Sequence, residues 1–268
     1  MRRSIAICLG LVLLFSTPAI SASCGNGPAG FEAWKQDFIA NASRHGLKQR
    51  VVARALQNVG YSSKVVRLDR NQKSFKLSFE QFYAKRVNNA MIRRGQKLGK
   101  TYARIFRGIE RKYGVPAPVI LAIWGLETNF GSFSGNMPVL QSLATLAYDC
   151  RRSKFFTNEL VNALKIVQRR DMTPAEMKGA WAGEIGQTQF LASSYVKYAV
   201  DYDRNGRRDL IRSIPDVLAS TANYLQKHGW RRGQGWGPGT ANYAVLKKWN
   251  KASVYVKTIS VMATKIAN

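Results

Sequence analysis

Glu127 is the carboxylate whose surroundings set it apart in this sequence. It closes the run Val119-Ile-Leu-Ala-Ile-Trp-Gly-Leu-Glu127 and follows Ile123 by four, Ile120 by seven and Val119 by eight positions. A helix therefore puts it on an apolar stripe near a C-terminal end, where the chain turns out through Asn129 and Gly131. Loss of hydration and the negative end of the helix dipole both favour the protonated carboxyl there. A carboxyl that keeps its proton near neutrality is what general-acid cleavage of a glycosidic bond needs. A buried glutamate neutralised by one of the many arginines fits the same periodicity, so spacing alone leaves two readings open.

Other chemistries lack their residues. Only His45 and His228 occur, without a partner at zinc-ligand spacing. There is no Gly-x-Ser-x-Gly elbow, phosphate-binding glycine loop or dinucleotide fingerprint. Acid–base work thus falls to a carboxylate, Tyr or Lys, and neither a cofactor nor a metal is expected. The charge, 42 Lys and Arg against 15 Asp and Glu, favours a polyanionic partner.

The N-terminus narrows that partner. Arg2 and Arg3 precede an apolar run from Ile5 to Phe15, then Pro18 and the small-residue stretch Ala19-Ile-Ser-Ala-Ser23. This is the pattern of a cleavable secretory signal over residues 1–23, too short to span a bilayer comfortably. Its loss takes the charge from +27 to about +25. An exported protein meets little nucleic acid, so the expected partner is the cell wall and the expected place the periplasm, with no transmembrane segment and a monomeric chain. Cys8 leaves with the signal; Cys24 and Cys150 remain, an even number in an oxidising compartment, and a disulfide between them is expected. The alternative, a lipidated Cys24, lacks the aliphatic residue that a lipoprotein signal usually has three positions earlier.

The elements that must position Glu127 read as helices. Apolar spacing predicts them over Phe31–Asn41, Lys48–Val59, Ala90–Arg111, Val119–Asn129 and Ser153–Arg169. Further ones are predicted over Pro174–Trp181, Phe190–Val200, Ile214–His228, Gly239–Asn250 and Ser253–Ile266. The stretch Ser62–Lys85 is expected to run extended or irregular. Strand signals are scarce, so the class is all-α, or mostly α. The expected organisation is an N-terminal helical part, 24–105, on a core, 106–268.

Glu127-Thr-Asn-Phe-Gly131 resembles the catalytic motif of the lytic murein transglycosylases, and Gly183-Glu-Ile-Gly-Gln-Thr-Gln-Phe-Leu-Ala-Ser-Ser-Tyr195 resembles the glycine–glutamine motif of their B type. Leu143–Tyr148, Arg151-Arg152 with Phe155-Phe156 and Glu159-Leu160, Ala222–Tyr224, Gly229-Trp230, and Trp249-Asn250 with Tyr255 follow in the family's order. The resemblance implies a lysozyme-like fold with a sugar-binding cleft. It implies non-hydrolytic cleavage of the β-1,4 bond between N-acetylmuramic acid and N-acetylglucosamine in peptidoglycan glycan strands, with Glu127 as both acid and base and the substrate's N-acetyl group assisting. Such a reaction leaves 1,6-anhydro ends and needs no second carboxylate, unlike the usual two-carboxylate scheme. No Asp or Glu follows Glu127 until Asp149, which is in keeping with this.

The resemblance puts Gln189 in the cleft beside the acid and Asn250 and Tyr255 at the C-terminal site positions. Tyr195 and Trp230 are candidate sugar platforms, while Tyr224 is read as helix packing. Ala192 stands where the family commonly has proline, and Ala180 where some members carry a serine thought to orient the acid. Asp201-Tyr-Asp-Arg-Asn-Gly-Arg-Arg-Asp209 is spaced like a calcium loop, but its twelfth position is Arg212 and three more arginines lie within it. A turn held by its own side chains is the favoured reading. No separate wall-binding module is expected. The competing functions are a hydrolytic muramidase on the same fold and a catalytically silent wall-binding protein.

Overall fold

The structure, a computed structural model, describes residues 23–71 and 77–268, so the expected signal lies almost wholly outside it. Thirteen α-helices are found among the described residues. They are α1 (Phe31–Ala40), α2 (Gln49–Leu56), α3 (Ser63–Arg70), α4 (Phe79–Arg86), α5 (Asn89–Thr101), α6 (Ala103–Tyr113) and α7 (Ala117–Thr128). Then come α8 (Val139–Tyr148), α9 (Ser153–Gln168), α10 (Ala192–Tyr198), α11 (Ile214–Lys227), α12 (Ala241–Trp249) and α13 (Ser253–Ala267). A small antiparallel ribbon pairs β1 (Met137–Pro138) with β2 (Lys178–Gly179). No helix of the described residues is long and apolar enough to cross a membrane.

Four segments depart from the expected outline, the first being Val139–Tyr148, where no helix is expected from the sequence and α8 forms. Ser62–Lys85 holds two helices, because Ser62 caps α3 by accepting from Val65 N–H, and Ser78 and Gln81 form a reciprocal capping box on α4. The helix expected over Ala90–Arg111 breaks at Tyr102, which ends α5 and opens α6. The helix expected over Pro174–Trp181 is absent. Thr173 and Glu176 close one turn with their side chains, and the chain then extends into β2.

At the centre stands α7. Pro116 precedes its first residue and Pro118 sits in its first turn, where a missing N–H costs nothing. Every residue from Val119 to Leu126 is buried, so the apolar stripe read from the sequence is in fact a helix enclosed on all sides, by α13, α5, α11 and α6. Burial of a side chain such as Ile120 or Ile123 contributes about 2 kcal/mol. Helix α5 approaches closely because of Gly95, where a Cβ would lie 2.8 Å from Ile266 of α13. A hairpin of α8 and α9 packs beside this core, and the Cys24–Cys150 disulfide ties the start of the described chain to the α8–α9 turn. That bond leaves the Cys24 sulfur no valence for a lipid.

Candidate active site

Helix α7 ends in an abrupt reversal. Asn129, Phe130 and Gly131 all take left-handed backbone, at φ 49°, 57° and 77°. Two such residues with side chains cost about 1 kcal/mol or more each, so something must hold them. The Thr128 hydroxyl donates to the Gln187 carbonyl at 2.6 Å and accepts from Gly131 N–H at 2.9 Å. The Gln187 side chain accepts from Trp124 Nε1 at 2.9 Å and donates to the Ile211 carbonyl at 2.7 Å. A side chain at position 131 would overlap Gln187, so only glycine fits. The end of the acid's helix and the glutamine loop therefore lock each other in place.

Glu127 is the last residue but one of α7, half-buried at the mouth of this reversal. Trp249 at the end of α12 donates Nε1–H to its carboxyl at 2.9 Å. The buried Tyr255 hydroxyl of α13 lies beside the same carboxyl. Arg86 of α4 donates to the Leu126 carbonyl at 2.7 Å, beside the acid and not onto it. Burial dominates and pushes the Glu127 pKa above the ordinary glutamate range. The Trp249 and Tyr255 groups and the Arg86 charge pull it back, while Glu184 adds to the rise. The arginine-neutralised alternative does not describe this carboxyl, whose direct hydrogen-bond donor is uncharged.

Glu127 borders two adjoining hollows. One, about 460 Å³, is lined by Ala180, Trp181, Glu184, Gln189, Tyr224, Trp249 and Asn250 among others. The second, about 330 Å³, continues past Glu127 along Leu68, Phe133, Asn136 and Met137, and shares Trp181 and Gln189. Together they form an open cleft with the acid midway. Gln189 gives its amide hydrogens to the Ser134 and Gly186 carbonyls, at 3.0 and 2.8 Å. Asn250 accepts from Ala252 N–H at 2.9 Å and lines the first hollow.

The structure brings Glu127, Gln189, Asn250 and Tyr255 together. It does not bring Tyr195 or Trp230 to them, and both expectations are corrected. Tyr195 is 1% exposed, with its hydroxyl on the Arg208 carbonyl, and Trp230 is 7% exposed, with Nε1 on the Gly114 carbonyl at 3.0 Å. Both rings fill core space. Tyr224 packs on His228, as expected, and also walls the cleft; burial pushes its phenol up to about 12. Ala180 borders the acid without a hydroxyl, and the Trp249 indole N–H is the donor found instead. Ala192 occupies the first position of α10, where alanine and proline both fit, so that departure is local.

Three residues escaped the sequence reading. Trp249 lay inside a quoted motif but was not assigned a role. Arg86 lies on a helix that had been expected to be irregular. Glu184 is a second carboxyl in the cleft, which removes the support drawn from the absence of acids after Glu127.

The Asp201–Asp209 segment is a turn held by its own side chains. Asp201 accepts from Asn205 and Gly206 N–H, and Asn205 from Arg207 N–H. Carboxylate oxygens of Asp201, Asp203 and Asp216 lie within 4.8 Å of one another. Asp203 already accepts from Ser213, however, and Asp216 from the Tyr202 and Asp209 N–H groups. Asp209 turns to Arg212 at 2.8 Å.

Comparisons with known proteins agree with this geometry. A family described as the transglycosylase SLT domain matches residues 30–241. The sequence is 39% identical over 122 residues to the membrane-bound lytic murein transglycosylase B of Escherichia coli (strain K12), a match covering 45% of this chain and 34% of that protein. The chain thus matches about a third of that relative's length. SltB3 from Pseudomonas aeruginosa, solved with NAG-NAM-pentapeptide and with NAG-anhNAM-pentapeptide, superposes with a TM-score of 0.83 at 31% identity, over 89% of this chain and 80% of that one. Soluble lytic transglycosylase SltB1 from the same organism shares the fold, with a TM-score of 0.81 at 22% identity over 87% and 98%.

Proposed function

This chain belongs to the transglycosylase SLT domain family, and from that premise we propose that it is a lytic transglycosylase of peptidoglycan with Glu127 as acid and base. The observation that carries the reading is the Glu127 carboxyl, its pKa raised by burial, held midway along an open cleft by a neutral indole donor.

The chemistry follows from that placement. Glu127 gives its proton to the glycosidic oxygen as the C1–O bond breaks, and the substrate's N-acetyl oxygen closes on C1. The Glu127 carboxylate, stabilised by Trp249 N–H, then takes the C6 hydroxyl proton. O6 attacks C1, displaces the acetyl oxygen and leaves a 1,6-anhydro ring, with Glu127 protonated again. Gln189, Asn250 and Tyr255 are the amide and phenol groups at hand to hold sugar hydroxyls and the N-acetyl group. The proposed setting is the periplasm, reached by a cleaved signal, where the charge of about +25 draws the enzyme to the peptide carboxylates of the wall.

Hydrolysis by a muramidase is the second reading, favoured by Glu184, which shares the cleft. A base for water would have to be ionised, and burial works against that at Glu184. Digestion of purified sacculi followed by mass spectrometry separates the two: transglycosylation gives products lighter by one water. Release of only hydrated reducing ends would overturn the proposal, and release of nothing would favour a silent wall-binding protein.

A further inference from the structure

Glu184 is a half-buried titratable group that the mechanism above does not use. It follows Gly183 in a tight turn, where Ala180 N–H donates to the Glu184 carbonyl at 3.1 Å and Gly183 N–H to the Ala180 carbonyl at 3.1 Å. The next residue, Ile185, exchanges hydrogen bonds with Phe190 at 2.8 and 3.0 Å. The backbone that carries Glu184 is therefore fixed from both sides. Its side chain lines the hollow that holds Trp249, Asn250 and Glu127. One carboxyl oxygen, Oε2, is buried with no hydrogen-bond partner. A polar atom left so is destabilising, unlike the nearby Glu159 carboxylate, which accepts from Ser193 N–H at 2.9 Å.

We propose that Glu184 is a substrate-positioning residue, which as the neutral acid donates a hydrogen bond to an acceptor oxygen of the glycan lying in the Trp249 half of the cleft. The inference rests on the transglycosylase reading for the identity of the ligand. The charged groups around Glu184 bear on its protonation. Burial has the largest influence and favours the neutral form. The Glu184 and Ala182 backbone N–H groups oppose it, as does Arg152 at the start of α9, and Glu159 of α9 and Glu127 of α7 are like charges. A neutral acid and a primary amide can each donate from this position, whereas an ionised carboxylate cannot.

The test is steady-state kinetics on soluble glycan strands across pH, with wild type, Glu184→Gln, Glu184→Met and Glu184→Ala, each checked for folding by circular dichroism. Glu184→Gln should keep KM within about twofold at neutral pH, and its KM should stay flat as pH rises while that of wild type climbs. Glu184→Met and Glu184→Ala should raise KM about tenfold at every pH with kcat within a fewfold, the worth of one hydrogen bond. A KM for Glu184→Gln that follows Glu184→Ala, or superposes on wild type at every pH, would overturn the inference. Products with hydrated ends would instead defeat the transglycosylase reading, and the KM comparison among the variants would still report on Glu184.

Discussion

Asp69 and Glu127 have both been withdrawn from water, at opposite ends of the α7–α8 region, and they hold their protons in opposite ways. Asp69, the last residue but one of α3, is 2% exposed, and burial alone would raise its pKa. Arg151 bonds it at 2.7 Å and Arg152 pairs with it, and these two hold it below the usual carboxylate range; Arg70 lies at 3.3 Å. Glu127 has an indole, a phenol and only an indirect arginine around it, and burial wins. Burial raises the pKa at both sites, and charged donors overcome it at Asp69 while neutral donors do not at Glu127.

The largest effect expected is at Glu127. Glu127→Gln should lower turnover of sacculi by about 10² to 10⁴ or more, because in the proposed mechanism the same group acts as acid and as base. Its melting temperature should equal or exceed that of wild type. Ionising Glu127 costs the folded state as pH rises from the ordinary glutamate pKa through the raised folded one, and glutamine removes that cost. Comparable release of 1,6-anhydro products by the folded variant would assign the chemistry elsewhere.

The Asp69 region should answer in stability instead. Replacing Cys24 and Cys150 with serine opens a closure across 126 positions, worth on the order of 4 kcal/mol by loop entropy. Calorimetry should show the loss, while the pH–rate profile at 25 °C or so keeps its shape. A shifted profile would mean that the two regions are coupled.

Asp69→Asn comes next, at about 2 kcal/mol, less than a fully buried pair because the arginines are 36–40% exposed and can turn to water. The lowered pKa makes Asp69 stabilising above the unfolded carboxylate pKa, and that stability is lost as pH falls through the folded value. Wild type should therefore lose melting temperature in acid more steeply than Asp69→Asn. Parallel acid profiles would count against the ion cluster as an anchor.

How much of this was legible in the sequence differs between the two regions. The motif around Glu127 is local: four residues of helix end and a glycine, with Thr128 and Gly131 bound to one loop. A contiguous pattern can carry that, and the structure brings Gln189, Asn250 and Tyr255, each named from a motif, to Glu127. The Asp69 cluster joins residues about 80 positions apart, and nothing in the local pattern of Asp69 marks it. Tyr195 and Trp230 were misread because an aromatic in a binding motif and one in the core look the same until burial is known. Arg86 was missed with its helix, although Ser78-Phe-Glu-Gln81 was a capping box in plain view. Short helices that draw their stability from tertiary packing leave little else in the sequence.

Trp249→Phe is the smallest change and the sharpest use of the comparison, since it alters the donor while leaving the burial largely in place. The indole packs edge-on against Phe190 at 5.5 Å and Tyr224 at 5.0 Å, and a phenylalanine ring keeps both neighbours. What it lacks is the N–H that reaches Glu127. That bond favours the ionised carboxyl, so its loss should let burial push the Glu127 pKa still higher, and the alkaline limb of kcat should move to higher pH. The carboxylate formed when the glycosidic oxygen takes the proton also loses its donor, so kcat at neutral pH should fall about tenfold, the worth of a hydrogen bond to a charged group. The two changes run in opposite senses: the working range extends upward as the rate drops. A variant damaged only in packing would lose rate with the limb unmoved. A limb that stays put, or moves down, would show that a group other than the indole sets the proton affinity of Glu127.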